Sequence, residues 1–226
     1  MSNKTMQFLY GDRELLLTAG DLLAAETSVI VNSTDSELKH DNDFSINIIN
    51  AAGTEIATES QLLIQQYGKI DSGMPVYTTA GELDYLAVIH IVPPEFGEGD
   101  EQAMLERSIS RSLLICETND WNSIAFPALG VAHNNIPVEL CAQAFFRAIT
   151  SFWDARFDNE VEKIVLCLGP DQFDAFFHAF RNDAIETIVP VNPANEAVAE
   201  SEKIGYIDLK DIDTENPDDD ISDWFK

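Results

Sequence analysis

The amino-acid sequence predicts an α/β fold, a three-layer α/β/α sandwich with a mixed, mostly parallel central sheet. Strand-like and helix-like segments alternate along the chain, as they do in sheets that carry helices on both faces. Several strand-like segments are continuously apolar, without alternating polar residues, which is typical of strands buried on both faces. Hydrophobic residues make up 45% of the chain, which is enough for a core of ordinary size.

The first half of the chain is predicted to begin with a hairpin, because Gly11-Asp12 is a turn signal between two apolar runs. A longer helix is predicted where apolar residues recur at roughly helical spacing. In chain order, the predicted elements are strands 6–10 and 14–17, a short helix 20–25, a strand 29–31, a helix 44–67, and strands 75–79 and 86–92.

The second half continues the alternation, and Pro137 is expected in the first turn of a helix, where its missing N–H has no cost. The predicted elements are a helix 101–117, a strand 123–127, a helix 137–157, a strand 161–168 and a helix 171–182. Beyond them, 185–191 and 204–209 are edge strands or extended segments, and 211–226 is an exposed acidic tail. We therefore expect a body over residues 1–183 and a C-terminal extension over 184–226.

The chain is strongly acidic, with 40 Asp and Glu against 13 Lys and Arg and a net charge of −27. Such a charge repels nucleic-acid backbones and anionic membrane surfaces, so we expect neither as a partner. A basic protein partner and a high-salt habitat are both compatible with it. The three cysteines lie in apolar surroundings without a metal-ligand spacing, which predicts buried reduced thiols, a cytoplasmic protein, and no metal or cofactor.

A set of short motifs resembles the macro domain family, whose members bind ADP-ribose and related nucleotides. The motifs are Gly20-Asp21-Leu22, the run from Ile30 to Asp35, Ala51-Ala52-Gly53, the segments 79–83 and 88–90, and the run from Ala125 to Gly130. The resemblance covers roughly residues 7–182. It implies the predicted fold, with a ligand cleft at the carboxyl ends of the strands.

The resemblance also implies a set of ligand-binding residues. Asp21 is expected to meet the base, although a carboxylate there is equally suited to capping the short helix. Asn32 and Asp35 are expected at the ribose, and the backbone from Gly130 to Asn134 at the phosphates. The complete predicted set is Asp21, Leu22, Asn32, Asp35, Asp43, Ser45, Gly130, Val131, Ala132, His133 and Asn134.

The chain departs from the family at the first phosphate loop, where His40-Asp41-Asn42-Asp43 replaces a run of glycines. Side chains there prevent the close backbone approach that glycine permits, and two carboxylates repel a diphosphate. Hydrolytic members carry an aspartate where this chain has Ser45, and a neutral serine is a poor general base. The prediction is therefore a non-catalytic or weakly active binding module for ADP-ribose or a related nucleotide.

Two other functions stay open. The first is an interaction protein that has lost nucleotide binding and presents its acidic surface or tail to a basic partner. The second is an ADP-ribosyl or O-acetyl-ADP-ribose hydrolase, in which Asp41 or Asp43 activates the water. The tail, which ends Asp-Trp-Phe-Lys, suits either docking into a basic groove or simple solubilisation, and we favour solubilisation.

Some residues near the expected cleft allow both a functional and a structural interpretation. Asp35, Asp41 and Asp43 are the ligand type that hard cations prefer, but we favour a solvated acidic loop. His40 and His133 are expected at the surface, or paired across the cleft. His90 is expected to be a hydrogen-bonded core residue. Phe173 is expected in the core, although it is the one aromatic placed to stack on a base after the last body strand.

Overall fold

The structure, a computed structural model, describes residues 4–156, 159–181 and 187–190. Its centre is an eight-stranded sheet with the strand order β4-β5-β3-β6-β7-β2-β1-β8. The strands are β1 (Thr5–Tyr10), β2 (Arg13–Ala19), β3 (Val29–Ser33), β4 (Val76–Thr78), β5 (Ala87–Ile91), β6 (Ser123–Pro127), β7 (Lys163–Leu168) and β8 (Thr187–Pro190). The helices are α1 (Asp43–Ala52), α2 (Thr54–Tyr67), α3 (Glu101–Thr118), α4 (Val138–Ala155) and α5 (Pro170–Arg181), and a 3₁₀ turn spans Leu22–Ala24.

Five neighbouring strands run parallel to one another, from β5 through β3, β6 and β7 to β2. The outer pairs β4·β5, β1·β2 and β1·β8 are antiparallel. The mixed, mostly parallel sheet is therefore as predicted. Because the five parallel strands share one direction, their carboxyl ends meet at one edge of the sheet.

The two faces of the sheet bury separate hydrophobic clusters, which makes the molecule three-layered. One cluster packs α3, α4 and α5 against side chains such as Leu17, Phe126 and Leu166. The other packs α1 and α2 against the opposite face, where Ile30 and Val165 meet Ile48 and Ile56. The α/β/α sandwich is confirmed. No helix among the described residues is long and apolar enough to span a membrane.

The single helix predicted over 44–67 is wrong, because the structure has two helices that meet at Gly53. Gly53 takes a left-handed conformation with φ of 81°, which breaks the helical backbone. The carbonyl of Ala52 accepts a hydrogen bond of 2.8 Å from the backbone N–H of Glu82, so it is engaged by a distant segment. The other helices and strands of the body lie where the sequence predicts them, within a few residues.

The segment 187–190 pairs with β1, so one of the two segments predicted as an edge strand or extended chain adds the last strand of the sheet. The other segment, 204–209, and the acidic tail at 211–226 lie outside the described residues. All three cysteines are buried and unpaired, as predicted. Burial raises the pKa of the Cys116 and Cys167 thiols to about 12.

Candidate functional site

A cleft of about 480 Å³ lies at the carboxyl ends of the parallel strands. The last residues of four strands reach its wall, namely Ala19, Ser33, Pro127 and Leu168. This is the edge at which α/β sheets usually bind ligands. Of the predicted ligand-binding residues, Asp21, Leu22, Gly130, Ala132, His133 and Asn134 line it. The predicted Val131 does not line it and packs against the hydrophobic cluster instead.

Asp21 forms one wall of the cleft and also caps the 3₁₀ turn. Its Oδ1 accepts a hydrogen bond of 3.1 Å from the backbone N–H of Leu23. One of the two carboxylate oxygens is thus used by the cap, while the side chain remains exposed at the cleft. Capping of the short helix and contact with a ligand, the two roles that the sequence left open for Asp21, are therefore compatible. The second carboxylate oxygen can still accept from a ligand.

The loop from Gly130 to Asn134 forms the opposite wall. Gly130 has φ of 71°, and a Cβ there would lie 2.8 Å from Cγ1 of Ile136 and 3.1 Å from Cβ of Pro93, so the loop requires glycine. The backbone N–H of Asn134 donates to the Gly130 carbonyl at 3.0 Å. Within the described ranges, the N–H groups of Val131, Ala132 and His133 have no protein acceptor. Consecutive free N–H groups in a turn form a concavity suited to an anion.

The third wall comes from the start of α5. Gly169, Pro170 and Gln172 line the cleft there, and Oε1 of Gln172 accepts from the N–H of Gly169 at 2.8 Å. Phe173 points elsewhere, because it is 1% exposed and belongs to the hydrophobic cluster of α3, α4 and α5. The prediction that Phe173 is a core residue is therefore confirmed. Among the described residues, no aromatic side chain lines this wall, so it offers no ring for a base to stack on.

Asn32 lies in a buried polar network beneath the cleft and does not line it. Its amide Nδ2 is 3.1 Å from Nδ1 of His40 and 3.2 Å from Nδ1 of His90. Its amide oxygen accepts a hydrogen bond of 2.8 Å from the Ser45 hydroxyl. Both amide hydrogens and the amide oxygen of Asn32 are therefore engaged inside the protein.

The amide of Asn32 sets the protonation state of both histidines. An amide nitrogen only donates, so Nδ1 of each ring accepts and carries no proton. The single proton of each ring is then on Nε2, which donates at 2.9 Å to the Ser60 hydroxyl from His40 and at 2.9 Å to the Thr78 hydroxyl from His90. Burial lowers the pKa of both rings, and that of His90 falls to about 3 with a contribution from the nearby His40.

The prediction of a surface position for His40, or of a pair with His133, is wrong. His40 is 6% exposed, and its ring centroid lies 5.1 Å from that of His90. A left-handed backbone at His40, with φ of 55°, lets the side chain enter the interior. His133 is exposed on the second loop, and His90 is a hydrogen-bonded core residue as predicted.

Asp35 binds its own loop. Its Oδ1 accepts from the N–H of Glu37 at 2.7 Å, and its Oδ2 accepts from the N–H groups of Lys39 at 2.8 Å and His40 at 3.3 Å. Asp41 and Asp43 are exposed, and neither lines the cleft. Within the described part of the chain, no three His, Cys, Asp or Glu residues are grouped closely enough to hold a metal ion.

Ser45 is fully buried and lies behind the cleft. Its hydroxyl is 2.8 Å from the Asn32 amide oxygen and 3.0 Å from the Ser33 carbonyl, and its N–H donates to the Asn42 side chain at 2.8 Å. The Asn32 amide oxygen and the Ser33 carbonyl both lie within reach of the one hydroxyl proton, and neither is a base. The arrangement is structural and supplies no activated nucleophile or general base.

Sequence reasoning missed several lining residues, notably Phe44, Gln172 and Cys167. The sequence placed Phe44 correctly at the start of a helix but did not indicate that its side chain lines the cleft. Gln172 lies in the first turn of α5, and no local motif marks it as a cleft residue. Cys167 reaches the cleft at the end of β7, but burial raises its pKa to about 12 and so keeps it a thiol.

Two relatives illustrate how far the sequence similarity extends. An O-acetyl-ADP-ribose deacetylase of Salmonella typhimurium is 33% identical over 140 residues, covering 61% of this chain and 78% of that protein. A Thermotoga maritima protein is 30% identical over 169 residues, covering 74% of this chain and 28% of that protein. The chain therefore spans less than a third of the length of the Thermotoga relative.

Solved structures agree with the fold. The Oceanobacillus iheyensis macrodomain with ADP superposes with a TM-score of 0.74 at 21% identity, covering 78% of this chain and 95% of that chain. A mutant of the same macrodomain with ADPR gives a TM-score of 0.73 at 21% identity, covering 78% and 97%. The family model described as Macro domain matches residues 31–145, about half of the sequence. The chain belongs to the Macro domain family.

Proposed function

We propose that the protein is a non-catalytic binding module for ADP-ribose or a related nucleotide. The observation that carries this proposal is the pairing of two complementary walls in one cleft. Asp21 offers a carboxylate oxygen to the amino group of a base, and Ala132 and His133, which line the cleft, offer backbone N–H groups to phosphates. The ADP and ADPR of the Oceanobacillus structures support the same ligand class.

Catalysis has less support than binding. A hydrolase needs a group that activates water, and among the described residues the buried Ser45 hydroxyl has no base beside it. Asp41 and Asp43, the substitute bases that the sequence suggested, do not line the cleft. Hydrolysis stays the second candidate function because one relative is named as a deacetylase. Release of ADP-ribose from a modified protein would establish hydrolysis.

Calorimetric titration with ADP-ribose tests the proposal. We expect measurable binding to the wild type and binding at least about tenfold weaker to Asp21→Ala, the loss expected for a hydrogen bond to a charged group. Asp171→Ala is the matched control, because Asp171 is exposed between two lining residues but does not line the cleft. It removes a similar charge without removing the contact, so binding should not weaken.

If the wild type gave no heat of binding at millimolar ADP-ribose, nucleotide binding would be refuted. The interaction scaffold would then be the better account, with a basic partner held by the acidic surface. An equal loss of affinity in Asp21→Ala and Asp171→Ala would place the ligand outside the Asp21 wall and would also count against the proposal.

A further inference from the structure

We propose that the cleft recognises the nucleoside diphosphate part of its ligand and makes no specific contact with the group attached to the second phosphate. The ligand class is then ADP and its esters, rather than ADP-ribose in particular. This inference rests on the proposed function and concerns the same cleft. It follows from the state of the segment between β3 and α1, where the sequence predicted the contacts to a second ribose.

The lining of the cleft stops short of that segment. On this side the described lining residues are Ser33, the last residue of β3, and Phe44, in the first turn of α1. The residues between them do not line the cleft. On this side a sugar placed beyond the diphosphate would meet the Phe44 ring, which offers no hydrogen bond, and the single hydroxyl of Ser33.

Both oxygens of the Asp35 carboxylate already accept hydrogen bonds from its own loop. Three backbone N–H groups, from Glu37, Lys39 and His40, donate to its two oxygens. The N–H groups of this loop thus already bind one anion, the Asp35 carboxylate. Releasing Asp35 for a ribose hydroxyl would leave these three N–H groups to find other acceptors, which opposes that movement.

Asn32 and Ser45 are equally unavailable. Both side chains are fully buried, and both are bonded to protein atoms. Moving Asn32 would also remove the donor that holds two neutral histidines. The segment is anchored further by His40, whose buried ring bonds Ser60 on α2.

The remaining walls retain open groups. A carboxylate oxygen of Asp21 and the N–H groups of Val131, Ala132 and His133 can still accept or donate. Recognition is therefore concentrated at the base and the diphosphate. Hydroxyl groups beyond the second phosphate keep their bonds to water and add little to the affinity.

The test compares three ligands of equal charge: ADP-ribose, ADP-glucose and the methyl ester of ADP. They share the nucleoside diphosphate and differ only beyond it, so electrostatic repulsion by the acidic protein is the same. Calorimetry on the full chain should give dissociation constants within about threefold of one another. Asp21→Ala should weaken all three by a similar factor.

A second measurement locates the contact independently of affinity. The backbone amide resonances of Glu37 and Lys39, which report the bonds to Asp35, should be the same with ADP-ribose and with the methyl ester bound. Binding of ADP-ribose tenfold or more tightly than the methyl ester, or amide shifts specific to ADP-ribose, would overturn the inference and leave nucleotide binding intact. If none of the three ligands bound at millimolar concentration, the proposed function itself would fail, and the inference with it.

Discussion

Asn32 shows how one side chain decides the state of several others. Its amide donates to two imidazole rings and accepts from one hydroxyl, and each of these partners is buried. The sequence suggested a ligand contact at Asn32, because the motif around it resembles the family's strand-end motif. His90 lies 58 residues away and is brought beside Asn32 only by the parallel pairing of β3 and β5. Such a network depends on the sheet register, which a local motif does not contain.

Stability should fall as the pH is lowered from about 6.5 towards 3, because His90 is neutral in the folded protein and protonated in the unfolded chain over that range. The unfolded chain then binds the extra proton. Each such histidine contributes a slope of about 1.4 kcal/mol per pH unit to the unfolding free energy. Urea unfolding at several pH values measures this slope.

The carboxylates titrate in part of the same range, so the His90→Gln variant is compared with the wild type. The variant should lose the His90 contribution to the slope. His133→Gln, at an exposed position, should keep the wild-type slope. Equal slopes in wild type and His90→Gln would contradict the assignment of a neutral buried ring.

Asn32→Asp should raise the pKa of both His40 and His90. A carboxylate accepts from a protonated Nδ1, whereas the amide of Asn32 cannot. Imidazole NMR resonances followed against pH would then show buried histidines titrating at higher pH than in the wild type. Unchanged titration would contradict an amide of Asn32 that donates to both rings.

The junction between α1 and α2 is the clearest case in which an element depends on a distant segment. The helical spacing of apolar residues continues from Phe44 to Tyr67, so the sequence gives no reason to divide the helix except Gly53. The division is stabilised by the segment around Gly81, which packs against the Ala52 carbonyl. Elements with continuous apolar runs, such as β3 and β6, were predictable because burial on both faces demands that pattern.

Gly81→Ala should destabilise the protein more than Gly11→Ala. The two glycines have similar φ values, 57° and 62°, so the left-handed conformation costs about the same at both. A Cβ at Gly81 would lie 2.1 Å from the Ala52 carbonyl oxygen, whereas nothing lies within 4 Å of one at Gly11. We expect a difference of about 1–3 kcal/mol in unfolding free energy by urea denaturation. Equal effects would show that the junction is not tightly packed.

At the scale of the whole molecule, the sequence predicted the layers, the mixed sheet and the position of the cleft. These follow from alternation and from strand direction, which are properties of long segments. Among the residues that line the cleft, Asp21 and the Gly130 loop were predictable from local motifs. The predictions for the acidic tail lie outside the described residues.

The net charge of −27 leads to a prediction for the whole chain, because like charges brought together on folding repel one another. Raising NaCl from 10 mM to 1 M shortens the Debye length from about 30 Å to about 3 Å and should raise the melting temperature. A chain of this size gains about 2–4 °C per kcal/mol. Calorimetry in sucrose of equal osmolality is the control, and a melting temperature independent of salt would contradict the prediction.

The most direct test of the account is a crystal structure of the protein with ADP-ribose. We expect the adenine amino group within hydrogen-bond distance of Asp21 and the phosphates against the N–H groups of 131–133. The terminal ribose should make no bond to Asp35 or Ser45. A nucleotide bound away from this cleft, or a terminal ribose held by Asp35, would contradict the account.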